Sequence, residues 1–281
     1  GPAPVDVAVT PDGTRAVTAN LLGDSVTVVD LAAQTVETTI PVSGAQPFRV
    51  LVTDDGAYAV VAVINTGPDS VFSIIDLASL SEVATVPAGG MGAIGFSFAV
   101  ETGEVKNLFT DFTLAGDVAA MYDRAGDLVR LVDVPTATLL AEIPVPEGPD
   151  SIAASPNGDT VVVGCETADE IAVIDVAGPS LASSFVVPDL GDRLVRVTPD
   201  GQEVVCWSGN LLSFHDLSTG LVQGFVDHGN FVIGDLAFTS DGSTLLVGSA
   251  RLRVIDVASR SLLTTLVLPP TYEIATEPGG D

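Results

Sequence analysis

Apolar residues occur in short runs along this chain, alternating with polar positions and broken by Gly, Asp, Pro and Ser. Runs of that length, rich in Val, Ile and Thr, predict strands. One turn signal punctuates them: Pro11-Asp12-Gly13, Asp54-Asp55-Gly56, Pro156-Asn157-Gly158, Pro199-Asp200-Gly201 and Ser240-Asp241-Gly242, with a degenerate copy at Leu114-Ala115-Gly116. The glycines lie 43, 60, 42, 43 and 41 residues apart. A second signal, an Asp closing an apolar run, recurs at Asp30, Asp76, Asp133, Asp175, Asp216 and Asp256, spaced 46, 57, 42, 41 and 40. Six repeats of about 42 residues follow, the third enlarged.

Within the first repeat, residues 5–10 and 15–20 flank the Asp-Gly turn, 25–29 follow Gly23-Asp24, and 36–42 form a fourth run. Asp-Gly between apolar runs is a strong hairpin signal. Four antiparallel strands at this period predict an all-β fold, a β-propeller of four-stranded blades. An isolated blade cannot bury both faces, so residues 1–281 read as one domain. Its repeats span about 4–46, 47–90, 91–148, 149–192, 193–230 and 231–270, with 271–281 as a closing strand or tail. Six blades are expected; the alternative is seven, with a rudimentary or split blade. Residues 94–110 read as an inserted hairpin in the third repeat. Residues four and six before each turn Gly, such as Val9 and Val7 or Val52 and Val50, are expected to pack between neighbouring blades.

The run Val17-Thr18-Ala19-Asn20, then Asp24-Ser25-Val26-Thr27-Val28-Val29-Asp30, then Val36-Glu37-Thr38-Thr39-Ile40-Pro41-Val42 resembles the YVTN-type propeller repeat. The resemblance covers nearly the whole chain. It implies a surface-layer or other extracellular setting, periplasmic or at the cell surface, with any signal peptide removed. Its members include scaffolds, binding modules and lactonase- or haem-associated propellers, so fold alone assigns no activity. The Gly-His and Trp-Asp signatures of WD40 repeats are missing, and Trp207 reads as local packing.

Propeller connectivity puts the strand 1–2 and 3–4 turns on one face. The template aspartates there cap turns through the backbone. The opposite face carries the variable loops, where binding is usually placed. Seven residues before each turn Gly stand Asp6, Arg49, Phe109, Ser151, Leu194 and Asp235. This chemically mixed position is expected at the channel mouth. Asp6, Arg49, Ser151 and Asp235, with His228 in a blade-to-blade loop, are the ligand-site candidates; no catalytic residue is assigned.

Net charge is −27, from 37 Asp and Glu against 10 Lys and Arg. That balance argues against nucleic acid and anionic membranes. It points to cations or basic partners at the variable face. No Gly-x-Ser-x-Gly elbow, clustered zinc ligands or haem-attachment motif is present. Calcium is the one cofactor considered, with Asp150, Asp189, Asp192 and Asp227 as weak candidates; otherwise none is expected. No apolar run approaches the ~18 residues of a spanning helix; the longest, residues 57–64, has eight. His215 sits where other repeats have Val29, Ile75, Val132, Ile174 and Ile255, so a strand position is expected. Cys165 and Cys206 share a strand parity that disfavours a disulfide, so two buried thiols are expected.

The leading reading is a non-enzymatic extracellular module that binds a protein or assembles with itself. Outermost strands such as 36–42 and 262–268 are edges able to pair with another chain. The alternative is a lactonase- or lyase-like enzyme with its site at the channel mouth.

Overall fold

Each Asp-Gly turn draws two apolar runs side by side, and the computed structural model contains the resulting hairpins. It describes residues 2–63, 70–89, 112–208, 211–227, 235–239, 241–248 and 251–267. Six four-stranded antiparallel sheets form, each in simple sequence order, and the described residues contain no helix.

The first sheet is β1 (Pro4–Val9), β2 (Arg15–Asn20), β3 (Ser25–Asp30) and β4 (Thr35–Pro41). The second is β5 (Pro47–Val52), β6 (Tyr58–Val63), β7 (Ser70–Asp76) and β8 (Ser81–Gly89). The third is β9 (Phe112–Ala115), β10 (Val118–Asp123), β11 (Leu128–Asp133) and β12 (Thr138–Pro144). The fourth is β13 (Pro149–Ala154), β14 (Thr160–Cys165), β15 (Glu170–Asp175) and β16 (Ser180–Val186). The fifth is β17 (Leu190–Val197), β18 (Glu203–Ser208), β19 (Leu211–Asp216) and β20 (Val222–Asp227). The sixth is β21 (Asp235–Phe238), β22 (Thr244–Gly248), β23 (Leu252–Asp256) and β24 (Ser261–Leu266).

The turn template has a definite chemistry. Thr10 Oγ1 donates to Asp12 Oδ1 (2.6 Å) and accepts the amide of Arg15 (3.0 Å). Gly13 closes the turn at φ +68°, bonding Thr10 O (2.8 Å). Left-handed backbone at that point is what glycine supplies without strain. Thr53, Thr198 and Thr239 repeat the arrangement with Asp55, Asp200 and Asp241, and Ser155 does so with Asn157. At the other hairpins, Asp30, Asp76, Asp133, Asp175, Asp216 and Asp256 each accept amides two or three residues ahead.

The chain divides into two compact units, Gly1–Pro144 and Val145–Asp281. In the first, Val17, Val26 and Val28 pack against Val50, Val61 and Ile75 between sheets one and two. Phe72 meets Phe112 at 5.0 Å between sheets two and three. In the second, Val162, Ile171, Val195 and Cys206 fill the space between sheets four and five. Phe214, Leu236 and Val247 fill that between five and six. Each fully buried Val or Ile contributes about 1.5–3 kcal/mol over an exposed one. Polar links cross the same joints: Arg15 Nη1 donates to Leu77 O (2.8 Å) and Arg196 Nε to Leu236 O (3.1 Å).

One expectation fails in the first sheet. Val50, Ile152, Val195 and Leu236 are buried as expected, but Val7 is 58% and Val9 54% exposed. Within its unit, sheet two packs on the other face of β1, through Asp6 and Ala8. Cys165 and Cys206 are both buried thiols. The expected insertion at 94–110 and the closing strand or tail at 271–281 lie outside the described residues.

Candidate functional site

The innermost strands of three sheets begin Pro4-Val5-Asp6, Pro47-Phe48-Arg49 and Pro149-Asp150-Ser151. Proline has no amide to give the ladder, and the register shifts there: between Pro4 and Asp6, Pro47 and Arg49, and Pro149 and Ser151. A bulge of this kind re-aims the side chain that follows it. Asp6 then stands opposite Ala19, Arg49 opposite Ala62, Ser151 opposite Gly164 and Asp235 opposite Gly248. The four candidates thus share one register position, facing a small residue. At Gly164 the smallness is required, since a Cβ there lies 2.3 Å from Ser151 Oγ. Asp6 and Arg49 belong to the first unit, Ser151 and Asp235 to the second. His228 lies outside the described residues.

The Asp6 carboxylate is engaged by the backbone. Oδ1 accepts the amide of Val7 (2.9 Å), and Oδ2 accepts that of Val50 on the neighbouring sheet (2.7 Å). Its geometry is that of a clamp between two blades. Ser151 is buried, as is Asp150 beside it in the bulge. Of the other calcium candidates, Asp189 is an exposed turn residue at φ +56°, Asp227 ends β20 exposed, and Asp192 lies within β17. Among the described residues, no group of three or more His, Cys, Asp or Glu is arranged to hold a metal ion.

The acidic loops before the third strands are more regular than they read. Asp24, Asp127 and Asp169 all adopt left-handed backbone, at φ +43°, +49° and +53°. Asp24 Oδ1 accepts the amide of Gln46 (2.9 Å), and Asp169 Oδ1 accepts that of Leu190 (3.1 Å). These side chains fasten the blade-to-blade connection to the strand 2–3 turn. Asp24, Asp127 and Asp169 all lie in the loops that sequence analysis placed on the variable face. The six-residue interval to Asp30, Asp133 and Asp175 was the signal that marks them as template.

An open cleft of about 380 Å³ in the second unit is bordered by Asp200, Glu203, Asp216, Asp241 and Arg260. Arg260 pairs with Glu203 (2.8 Å) and lies 4.6 Å from the Phe214 ring centroid. Hydrogen bonds from Thr198, Ser218 and Thr239 hold Asp200, Asp216 and Asp241 below the usual carboxylate range. Those three carboxylates are committed to their own turns.

Deeper in the fifth sheet, sequence analysis missed a polar cluster. His215 Nε2 is 3.0 Å from Ser213 Oγ, which is 3.2 Å from Cys206 Sγ. Burial lowers the affinity of His215 for a proton and pushes the Cys206 thiol up to about 12. A thiol held neutral in this way is a poor nucleophile.

No family model and no curated protein matches the chain. Solved structures do. A chain of the hydrazine synthase of Kuenenia stuttgartiensis superposes with a TM-score of 0.67 at 19% identity, covering 94% of this chain and 86% of that one. A functionally unknown protein from Desulfotomaculum acetoxidans gives 0.69 at 15%, covering 95% and 86%. The Cps50 (Swd1) β-propeller domain of Myceliophteria thermophila gives 0.70 at 16%, covering 96% and 88%. Likeness at this level shows the fold, and with six four-stranded sheets the fold is a six-bladed β-propeller.

Proposed function

We propose that this chain is a non-enzymatic propeller module of the extracellular or cell-surface kind. It binds a protein partner, or further copies of itself, through the outermost strands of its sheets. The observation that carries this reading is where the large exposed apolar residues lie. The outermost strand of every sheet has at least one, as in Val36, Val83, Leu139, Val186, Phe225 and Leu263. The two middle strands of each sheet have none among the described residues. An outermost strand also presents unpaired backbone donors and acceptors, which a second strand can satisfy.

The six edges are not equally protected. β4, β8 and β12 each carry a Glu (Glu37, Glu82, Glu142) and a Pro (Pro41, Pro87, Pro144). Both features discourage strand addition. β16 and β24 carry neither charge nor proline, and β24 exposes three leucines, Leu262, Leu263 and Leu266, against Leu181 and Val186 of β16. In a chain of net charge −27, a charge-free edge is where a second copy approaches with least repulsion. Of the polar groups first marked for chemistry, Asp6 favours the non-enzymatic side, because its carboxylate serves the backbone.

Sedimentation velocity across a concentration series tests the module. The expected outcome is a rising mass for the wild-type chain and a constant one for the Leu263→Lys, Thr264→Lys variant. An unchanging wild-type mass together with failure to bind any surface protein of the source cell contradicts the proposal. Cell fractionation tests the setting, and recovery in the cytosol contradicts it.

A further inference from the structure

Three side chains of the fifth sheet form a buried chain whose tautomer is fixed at the His215 end. Cys206 is 0%, Ser213 1% and His215 2% exposed. The Gly220 carbonyl can only accept, so His215 Nδ1 (3.3 Å away) carries the ring proton and donates. Nε2 is then the acceptor and takes the Ser213 hydroxyl proton at 3.0 Å. Ser213 Oγ lies 3.2 Å from the Cys206 thiol and 3.5 Å from the Cys206 carbonyl. The imidazole lies stacked on Phe185 of the fourth sheet, centroids 5.6 Å apart and planes 28° from parallel. Gly220 completes the enclosure. At φ +70° it brings its backbone so close that a Cβ there falls 2.6 Å from the Phe185 ring.

Among the described residues, the surroundings offer no counter-charge. On the fourth sheet Phe185 and Ile171 face this joint, and Asp175 at the end of β15 turns its carboxylate to the amides of Ala177 and Gly178. On β17 and β18 the neighbours are Val195, Val197, Val204 and Cys206. Asp216, next in the chain, bonds the amides of Ser218 and Thr219. Glu203 and Arg260 pair with each other against Phe214, on the opposite face of the sheet. Among the described residues, neither nitrogen of His215 meets a carboxylate. A second ring proton therefore creates a buried cation and turns Nε2 from acceptor to donor, which pushes the Ser213 hydroxyl onto the longer contact with the Cys206 carbonyl.

We propose that Cys206, Ser213 and His215 form an acid-released latch between the fourth and fifth sheets. When His215 takes up its second ring proton, the imidazolium leaves its stack on Phe185 and the way to the Cys206 thiol opens. The neutral ring closes the joint, and the opened ring titrates at its ordinary value of about 6.5. Opening then grows as pH falls below that value, by up to roughly 30-fold at pH 5 relative to pH 7.5. Other repeats place Val29, Ile75, Val132, Ile174 and Ile255 where His215 stands, so their joints have no such switch.

The test is thiol labelling of the intact chain with 4,4′-dithiodipyridine at pH 7.5 and pH 5. Each rate is normalised to a small free thiol, and the sites are read by peptide mapping. Cys206 labelling is expected to rise up to roughly 30-fold, with Cys165 unchanged and the rise absent in His215→Ile. A flat Cys206 rate overturns the latch. So does a Cys165 rate rising in step, which marks general unfolding, or an acid rise that survives His215→Ile. Should that variant fail to fold, nuclear magnetic resonance titration of His215 in the wild-type chain decides. Acid labelling of Cys206 that rises with the same midpoint as the His215 titration supports the latch; labelling that stays flat through that titration overturns it.

Discussion

At the scale of single residues, the aspartates divide by what they hold. Thr198 is buried, donates to Asp200 and accepts the amide of Glu203. Thr198→Val keeps the shape and removes both bonds, and is expected to cost about 1–2 kcal/mol in chemical denaturation. Hydrogen bonds depress the carboxyls of Asp12, Asp55, Asp76, Asp200, Asp216, Asp241 and Asp256 below 3.8. Depressed groups add stability above their unfolded value, and that stability is lost as pH falls through the folded value. Melting temperature is therefore expected to drop steeply below pH 3.8. Asp117 runs the other way, raised by burial and then by Asp55, Asp133 and Asp54. Its ionised form opposes folding, so Asp117→Asn is expected to stabilise by roughly 0.5 kcal/mol at pH 7, a figure already reduced for solvent screening. Little gain is expected at pH 3. The turn aspartates were legible because Asp-Gly between apolar runs has one reading. The Cys206–Ser213–His215 cluster was not, since a hydrogen bond across paired strands leaves no fixed spacing in the chain.

At the scale of strands, the repeat spacing located all six sheets, including the third, whose Leu114-Ala115-Gly116 turn keeps the glycine at φ +59°. The bulges escaped sequence analysis, although Pro4, Pro47 and Pro149 each stand nine residues before their turn glycine. A register shift moves which residues face each other without changing composition, so alternation alone cannot reveal it. The exposed valines of β1 escaped for another reason: alternation predicts that a face is apolar, not what covers it. The shared register position is directly testable at Ser151 and Gly164. Gly164→Ala is expected to cost about 2 kcal/mol by overpacking, and Ser151→Gly in the same chain to restore most of it. Equal losses with and without Ser151 contradict the close approach.

At the scale of the whole molecule, the net charge of −27 now has a different distribution. Ten aspartates were already template by spacing. Asp24, Asp127 and Asp169 join them by geometry, so acidity alone no longer marks the loop face as a binding surface. What remains distinctive is apolar: the outermost strands, with the charge-free β24 exposing three leucines, and the valines of β1. Like charge opposes association until salt screens it, with a Debye length of about 10 Å at 0.1 M and 3 Å at 1 M. Self-association is therefore expected to strengthen with added sodium chloride in light scattering, and association that weakens with salt contradicts an apolar edge. The most direct measurement is hydrogen exchange of the chain in its associated and dilute states. The account predicts that protection gained on association concentrates in residues 261–266. Unchanged exchange there, with protection gained instead at the strand 2–3 turns, contradicts it.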